Sequence, residues 1–531
     1  MTDRPIQFGV LLAILVFFSA TIRLFFPFTA DDAYIVARYA ANARDLGDWT
    51  FNAGERINAM TSPLHGVALV ALSRFVADPL PLYKTIAAIL VCAAGIVFVV
   101  SYGAHRREVL PLAAVLVAPS FLLWTVAGLE TPLLAVEVTA MAAIFSFVRV
   151  ENDRRLLVIG AMAGLAVFTR YDAVLFVGPL FLAATLQSRG TWRMKMVAAA
   201  LAGALPGLWF LYSLLRFGTV LPTSFYLKTP TAATAVLAAN AGYMTEHLAI
   251  AGIAVLAVYA AARVADSGTV RSVLADEIRA RWGLHAGIAA ILLYGASMAT
   301  VHMMFAFRHF MPYLGATALA LVQFARRANE RASDAGSARS RRWMEVIAAA
   351  MILIVHVFHA EALYHDSLQG IGTHGEYSEQ GAAGYARDFI PAMRRNAEDV
   401  RSHWNSLGKD RPPRIWTFAA GALPYVYPEA YIFEGLVSYR HLCPSSEPGR
   451  MPDWRVWRMH ADYIHVFTRH AALRRSLAPV HQRQVRLISN QPIHFNGRDE
   501  ALLVFFNPAP RPNILPARVN EPCGVAQREG P

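Results

Sequence analysis

Along the first 361 residues the apolar positions gather into runs of roughly 15–22 residues, long enough as helix to cross about 30 Å of hydrocarbon. Within hydrocarbon a helix satisfies its own backbone hydrogen bonds, so such runs predict membrane-spanning helices. Windowed hydropathy predicts about eleven of them, at 7–26, 85–103, 109–124, 131–148, 155–169, 173–187, 195–215, 245–263, 283–301, 310–325 and 344–361. The first is followed by Arg23 and the aromatic Phe25, Phe26 and Phe28, not by a small-residue cleavage site, and reads as an anchor. The segment 62–78 is shorter and contains Arg74, and reads as a juxtamembrane or re-entrant helix.

The pattern changes near residue 362. Long apolar runs stop, and Pro, Arg, Asp and His become common. Short β-type runs are predicted at Arg414–Phe418, Tyr431–Glu434, Tyr463–Thr468, Val485–Ser489 and Ala501–Phe506, beside a helical stretch at Gly381–Leu407. The fold class that follows is a polytopic α-helical membrane protein with a C-terminal α/β domain, divided as 1–361 and 362–531.

Composition agrees: 56% of the 531 residues are hydrophobic and only 16% charged, against about a quarter charged in a soluble domain. The net charge of +12 is a topology signal. Loops holding Arg106–Arg107, Arg149–Arg155, Arg189–Lys195, Arg263–Arg281 and Arg326–Arg342 all fall on the cytoplasmic side if the N-terminus does, as the positive-inside rule requires. The C-terminal domain is then extracytoplasmic, in the periplasm of a bacterial inner membrane. There Cys443 and Cys523 could pair, while Cys92 sits in a span. No basic soluble face with interleaved aromatics points to nucleic acid.

In this orientation the short polar motifs converge on the outer side. Asp31–Asp32 follow the first span, and Arg56, Glu130, Arg170–Tyr171–Asp172, Tyr226 with Lys228, and Arg308–His309 flank others. Two adjacent carboxylates at a partly desolvated surface can supply a base or, with a donor phosphate, hold a divalent metal ion; an N-capping pair is the alternative. Five basic side chains on one face suit a phosphate leaving group, although single positions such as Arg56 and Lys228 also suit interfacial snorkelling. Glu130 and Asp172 can cap helices or hold the cations in place. His65 and His356 read as packing histidines. No Walker loop, Gly-x-Gly-x-x-Gly, His-Glu-x-x-His or Cys-x-x-Cys pair is present.

The stretches DDAYIVARYAANARDLGDWTFNAGERINAMTSPLHG, GLETPL, TRYDAVLF, FGTVLPTSFYLKT, FRHFMPYL and AAGALPYVYPEAYIFEGL resemble, in order, the C-superfamily (GT-C) membrane glycosyltransferases, nearest to the arabinofuranosyltransferases of cell-wall arabinan. The resemblance implies transfer of a sugar, with arabinofuranose the first choice, from a polyprenyl-phosphate donor to a cell-envelope glycan or glycoprotein acceptor. It implies that Asp31 or Asp32 is the catalytic base, the first of the pair being favoured. It also implies that Glu130, Arg170, Asp172, Lys228 and Arg308 line the donor cavity, and that the soluble domain holds the acceptor. Where relatives carry an acidic residue before Gly-Ala-x-Pro-Tyr, this chain has Phe418-Ala419-Ala420. The same scaffold serves aminoarabinose or mannose in other branches. The competing class is a flippase or transporter of lipid-linked glycans. That class predicts polar groups deep in the spans and paired broken helices in related halves, whereas the motifs here gather at one surface.

Overall fold

The computed structural model describes residues 4–103, 109–147, 153–227, 234–261, 267–297, 305–331, 338–365, 381–417, 419–434, 437, 461–467, 486–495 and 498–507. They divide into two compact units. The first is Met1–Ala30, Ser62–Tyr212 and Ala232–Tyr385, and the second is Asp31–Thr61, Ser213–Thr231 and Ala386–Pro531.

The first unit is helical. Helices Arg4–Phe25, Pro79–Gly103, Thr131–Phe147, Asp153–Thr169, Val174–Gln187, Trp192–Phe217, Ser267–Ser297, Leu314–Arg331 and Ala338–His365 lie at the hydropathy runs. Two runs differ from the expectation. The run 109–124 is two short helices, Val109–Val115 and Pro119–Thr125. Pro119 disfavours helical backbone in the residue before it, and Ala118 accordingly has ψ 129°. The run 245–263 is two helices bent by 68°, with Gly252 at the break in the left-handed region, φ 76°. That conformation is nearly free for glycine.

Among the described residues four helices are long and apolar enough to cross a membrane, or five if the bent pair is one span. Their outward faces carry Phe8, Leu15, Ile89, Val97, Leu208, Leu215, Ile354 and Phe358, all exposed. So much bare hydrocarbon suits lipid rather than water, and the chain is a multi-pass membrane protein. The segment Pro63–Ser73 is a short apolar helix.

Inside the unit, small residues let helices close up, as membrane helices require. A Cβ added at Gly160 would stand 2.4 Å from the Ala198 carbonyl oxygen, and one at Gly164 would stand 2.7 Å from that of Leu201. The end of the first helix is held differently. Lys84 is buried and donates to the carbonyls of Phe26 and Phe28 (the latter 2.9 Å) and to Thr29 Oγ1 at 3.0 Å.

The second unit contains a five-stranded mixed sheet: β1 (Arg414–Trp416), β2 (Tyr431–Phe433), β3 (Tyr463–Phe467), β4 (Arg486–Phe495) and β5 (Arg498–Phe506), in spatial order β2-β1-β3-β5-β4. The strands fall at the short β-type runs, but β4 continues past the predicted end at Ser489 to Phe495, and β5 begins at Arg498, before the predicted start at Ala501. β1 pairs in parallel with β2 and β3, and β5 is antiparallel to β3 and β4. Trp416, Phe433, Ala461, Ile464, Val466 and Leu503 form its buried core. Helix Ile390–Ser406 buries Ile390, Met393, Ala397, Val400 and Trp404, the helical spacing of one apolar face. Cys443 and Cys523 lie outside the described residues.

The helix Asp31–Asp45 and the loop behind it belong to this unit. Asn52 pairs with the Ile432 backbone in both directions at 2.9 Å, and Tyr431 donates to Glu55. Arg38, 1% exposed, donates to the carbonyls of Phe51 (2.8 Å), Pro424 (2.6 Å), Pro428 (3.1 Å) and Ala430 (2.7 Å) and lies over the Phe51 ring. Its loss would take this donor from the buried carbonyls of Pro424, Pro428 and Ala430, while Phe51 would keep Asn42 at 3.0 Å. Arg38→Met should therefore destabilise this unit by about 3 kcal/mol or more. Thermal unfolding of the detergent-solubilised chain checks this; an unchanged melting temperature would contradict it.

Candidate active site

The predicted site residues divide between the two units. In the first unit four of the predicted motif residues, Glu130, Arg170, Asp172 and Arg308, meet. Gly128, at φ 82°, turns the chain so that Glu130 precedes helix Thr131–Phe147, and Glu130 is 1% exposed. Arg170 ends helix Asp153–Thr169 with extended backbone, φ −158° and ψ 126°, before the turn Tyr171–Ala173. That break lets its guanidinium reach two carboxylates, Nη1 to Glu130 at 2.8 Å and Nε to Asp172 at 2.7 Å. Arg308 stands 4.0 Å from the same Glu130, and His309 Nδ1 stands 3.8 Å from Asp172. Burial alone would raise the Glu130 carboxyl, but Arg170 and Arg308, with a lesser contribution from His65, outweigh it and leave it below the ordinary carboxylate value.

Two guanidiniums facing two carboxylates sum to no net charge. The members differ, though. Arg170 is chelated by both carboxylates and acts as a strut. Arg308 stands farther from Glu130 than Arg170 does, and its guanidinium carbon lies 5.4 Å over the Trp124 ring. The same indole donates its N–H to the Ala306 carbonyl at 3.1 Å. Ala306 and Phe307 are both left-handed, φ 48° and 57°, a conformation that costs an alanine or phenylalanine about 1–3 kcal/mol. The turn that presents Arg308 is therefore strained and clamped by Trp124.

In the second unit Asp31 opens the helix Asp31–Asp45 and is buried. Its Oδ2 accepts the Gly421 N–H at 3.0 Å and its Oδ1 accepts the Ala422 N–H at 2.8 Å. Gly421 has to be glycine, because an added Cβ would lie 2.3 Å from the Asp31 carboxylate. Both Asp31 oxygens are thus engaged by backbone, while Asp32 beside it is partly exposed. Arg56 is exposed in its loop. Lys228 and the side chain of Tyr226 lie outside the described residues. Among the described residues no three His, Cys, Asp or Glu side chains converge to hold a metal ion.

Motif reading had passed over Trp124, Thr131 and Tyr313 and had read His65 as packing. Thr131 and Tyr313 stand inside the quoted GLETPL and FRHFMPYL stretches, so reading those motifs to their ends would have reached them. Nothing local marks Trp124, whose contacts with Ala306 and Arg308 reach far along the chain.

The fold has a solved counterpart. It resembles ArnT from Cupriavidus metallidurans. The apo crystal structure of ArnT superposes with TM-score 0.56 at 10% identity, covering 93% of this chain and 98% of ArnT. The structure of ArnT bound to undecaprenyl phosphate superposes with TM-score 0.53 at 13% identity, covering 95% and 98%. At these identities the likeness is one of fold. No protein-family model matches the chain, and no curated protein sequence does either.

Proposed function

We propose that the chain is a membrane glycosyltransferase that uses a polyprenyl-phosphate sugar as donor and a cell-envelope glycan or glycoprotein as acceptor, with arabinofuranose the first choice of sugar. The observation that carries this is the Glu130–Arg170–Asp172–Arg308 quartet, Glu130 buried and the other three half-buried, in a chain with the fold of a protein solved with undecaprenyl phosphate bound. In the reaction the acceptor oxygen bonds to the anomeric carbon, the bond from that carbon to the phosphate oxygen breaks, and polyprenyl phosphate leaves. The acceptor proton passes to a carboxylate. Asp32 takes that role in preference to Asp31, because Asp31 would have to give up a backbone hydrogen bond to accept the proton. Arg308 meets the leaving phosphate, where a preorganised cation is most effective, and Arg170 keeps Glu130 and Asp172 in position.

The proposed topology has the N-terminus and basic loops in the cytoplasm, about eleven crossings, and residues from about 362 onward in the periplasm. The Lys/Arg asymmetry supports it. The flippase reading is weaker, since Glu130, Arg170, Asp172 and Arg308 gather in one ionic cluster.

The test is release of undecaprenyl phosphate by the purified chain incubated with undecaprenyl-phosphate-arabinofuranose, with the mannose and aminoarabinose lipids as alternatives and an envelope extract as acceptor. Release from one of them is expected. Movement of intact glycolipid across vesicles without any release would favour the flippase.

A further inference from the structure

Four side chains around the quartet are buried without hydrogen-bond partners among the described residues. They are both ring nitrogens of His65, Thr131 Oγ1, both ring nitrogens of His309 and the Tyr313 hydroxyl, and their residues are 0%, 1%, 2% and 4% exposed respectively. All belong to the first unit. They surround the ionic cluster: Thr131 follows Glu130 in the chain, and His309 reaches Asp172 at 3.8 Å. Tyr313 lies in the field of Asp172 and Arg170, and His65 in that of Glu130 and Arg308. The Tyr294 ring bridges to His309 with centroids 5.3 Å apart, and His65 packs on Tyr83 at 4.6 Å.

An unsatisfied buried polar atom costs about 1–3 kcal/mol, and well over nine in ten such groups in proteins are paired. Several orphans around one ionic cluster are groups held ready for something else to satisfy. Their chemistry says what. Burial pushes His65 down to about 4, with Glu130 opposing, so it is a neutral imidazole that can both donate and accept. Hydroxyls of Thr and Tyr do the same. Neutral groups of mixed polarity complement neutral hydroxyls, not a phosphate.

We propose that His65, Thr131, His309 and Tyr313 form the subsite that recognises the hydroxyl groups of the donor's sugar, beside the arginine that meets its phosphate. This rests on the donor reading above and adds the residues that set which sugar is accepted. Orphaned atoms also give a test that a structural role would fail. Thr131→Val and Tyr313→Phe keep shape and remove only a hydroxyl. If the hydroxyls serve folding, the variants unfold at lower temperature; if they await a ligand, the melting temperature stays or rises.

The experiment measures melting and the binding of two probes to the full chain in detergent: bare undecaprenyl phosphate, and the same lipid bearing arabinofuranose, mannose or aminoarabinose. The wild type should bind one glycolipid about 10-fold or more tightly than the bare lipid. Each variant should lose about 5- to 10-fold of that increment, as one hydrogen bond is worth, with bare-lipid binding and melting kept. Variants that keep the increment, variants that melt markedly lower, or a wild type with no increment for any of the three would overturn the subsite. Failure of the wild type to bind bare undecaprenyl phosphate would overturn the donor reading and the subsite together.

Discussion

Asparagine at position 32 should abolish detectable sugar transfer while the protein still inserts and still binds undecaprenyl phosphate. The amide keeps the size and much of the hydrogen bonding of the carboxylate but cannot take a proton, and loss of a general base costs about 10²–10⁴-fold in rate with binding little affected. Asp31→Asn has a different expected signature. Its carboxylate accepts two backbone amides, and an amide side chain has one acceptor oxygen, so one N–H of the Gly421–Ala422 turn would face an NH2 group. The variant should unfold more easily, with transfer reduced in proportion to the folded fraction. Turnover per folded molecule for the two amides separates the roles. A fully active Asp32→Asn beside a dead but stable Asp31→Asn would reverse the assignment, and two active variants would move the base to Glu130 or Asp172.

The second large effect is expected at Arg308. Arg308→Ala should lower turnover by about 10²-fold or more, as loss of one charge-stabilising donor does, and weaken binding of bare undecaprenyl phosphate. Arg170→Ala should behave differently, because its guanidinium bonds both Glu130 and Asp172. Removing it leaves two carboxylates without their strut, and the melting temperature should drop along with activity. An Arg308→Ala protein with unaltered kinetics would remove the phosphate role from that residue.

How far the sequence revealed this arrangement depended on the range of the interaction. Helices and strands are local decisions, and they followed the pattern closely: Tyr431–Phe433 and Tyr463–Phe467 stand inside the predicted β-type runs. The exceptions were also local, at Ala118–Pro119 and Gly252, where a ring and a left-handed glycine interrupt an apolar run that hydropathy alone scores as continuous. The ionic cluster was legible as a set of outer-face motifs but not as a geometry. Nothing in TRYDAVLF says that Arg170 reaches Glu130, 40 residues earlier. Least legible was the anchoring of the acidic pair. Asp31 and Arg38 bind backbone near residues 421–430, and a carbonyl or amide carries no residue-type signal. The helix-capping alternative had the right chemistry for Asp31, whose carboxylate holds the N-terminal turn of another helix, Ala422–Val426.

The left-handed pair Ala306–Phe307 has a consequence for anyone trying to make this protein hardier. A glycine at 306 would relax the turn, and by ordinary reckoning that is a stabilising change. It would also release the hinge on which Arg308 is mounted, so heat resistance and catalytic accuracy pull in opposite directions at this one residue. The indole of Trp124, which holds the Ala306 carbonyl, keeps the turn in place meanwhile.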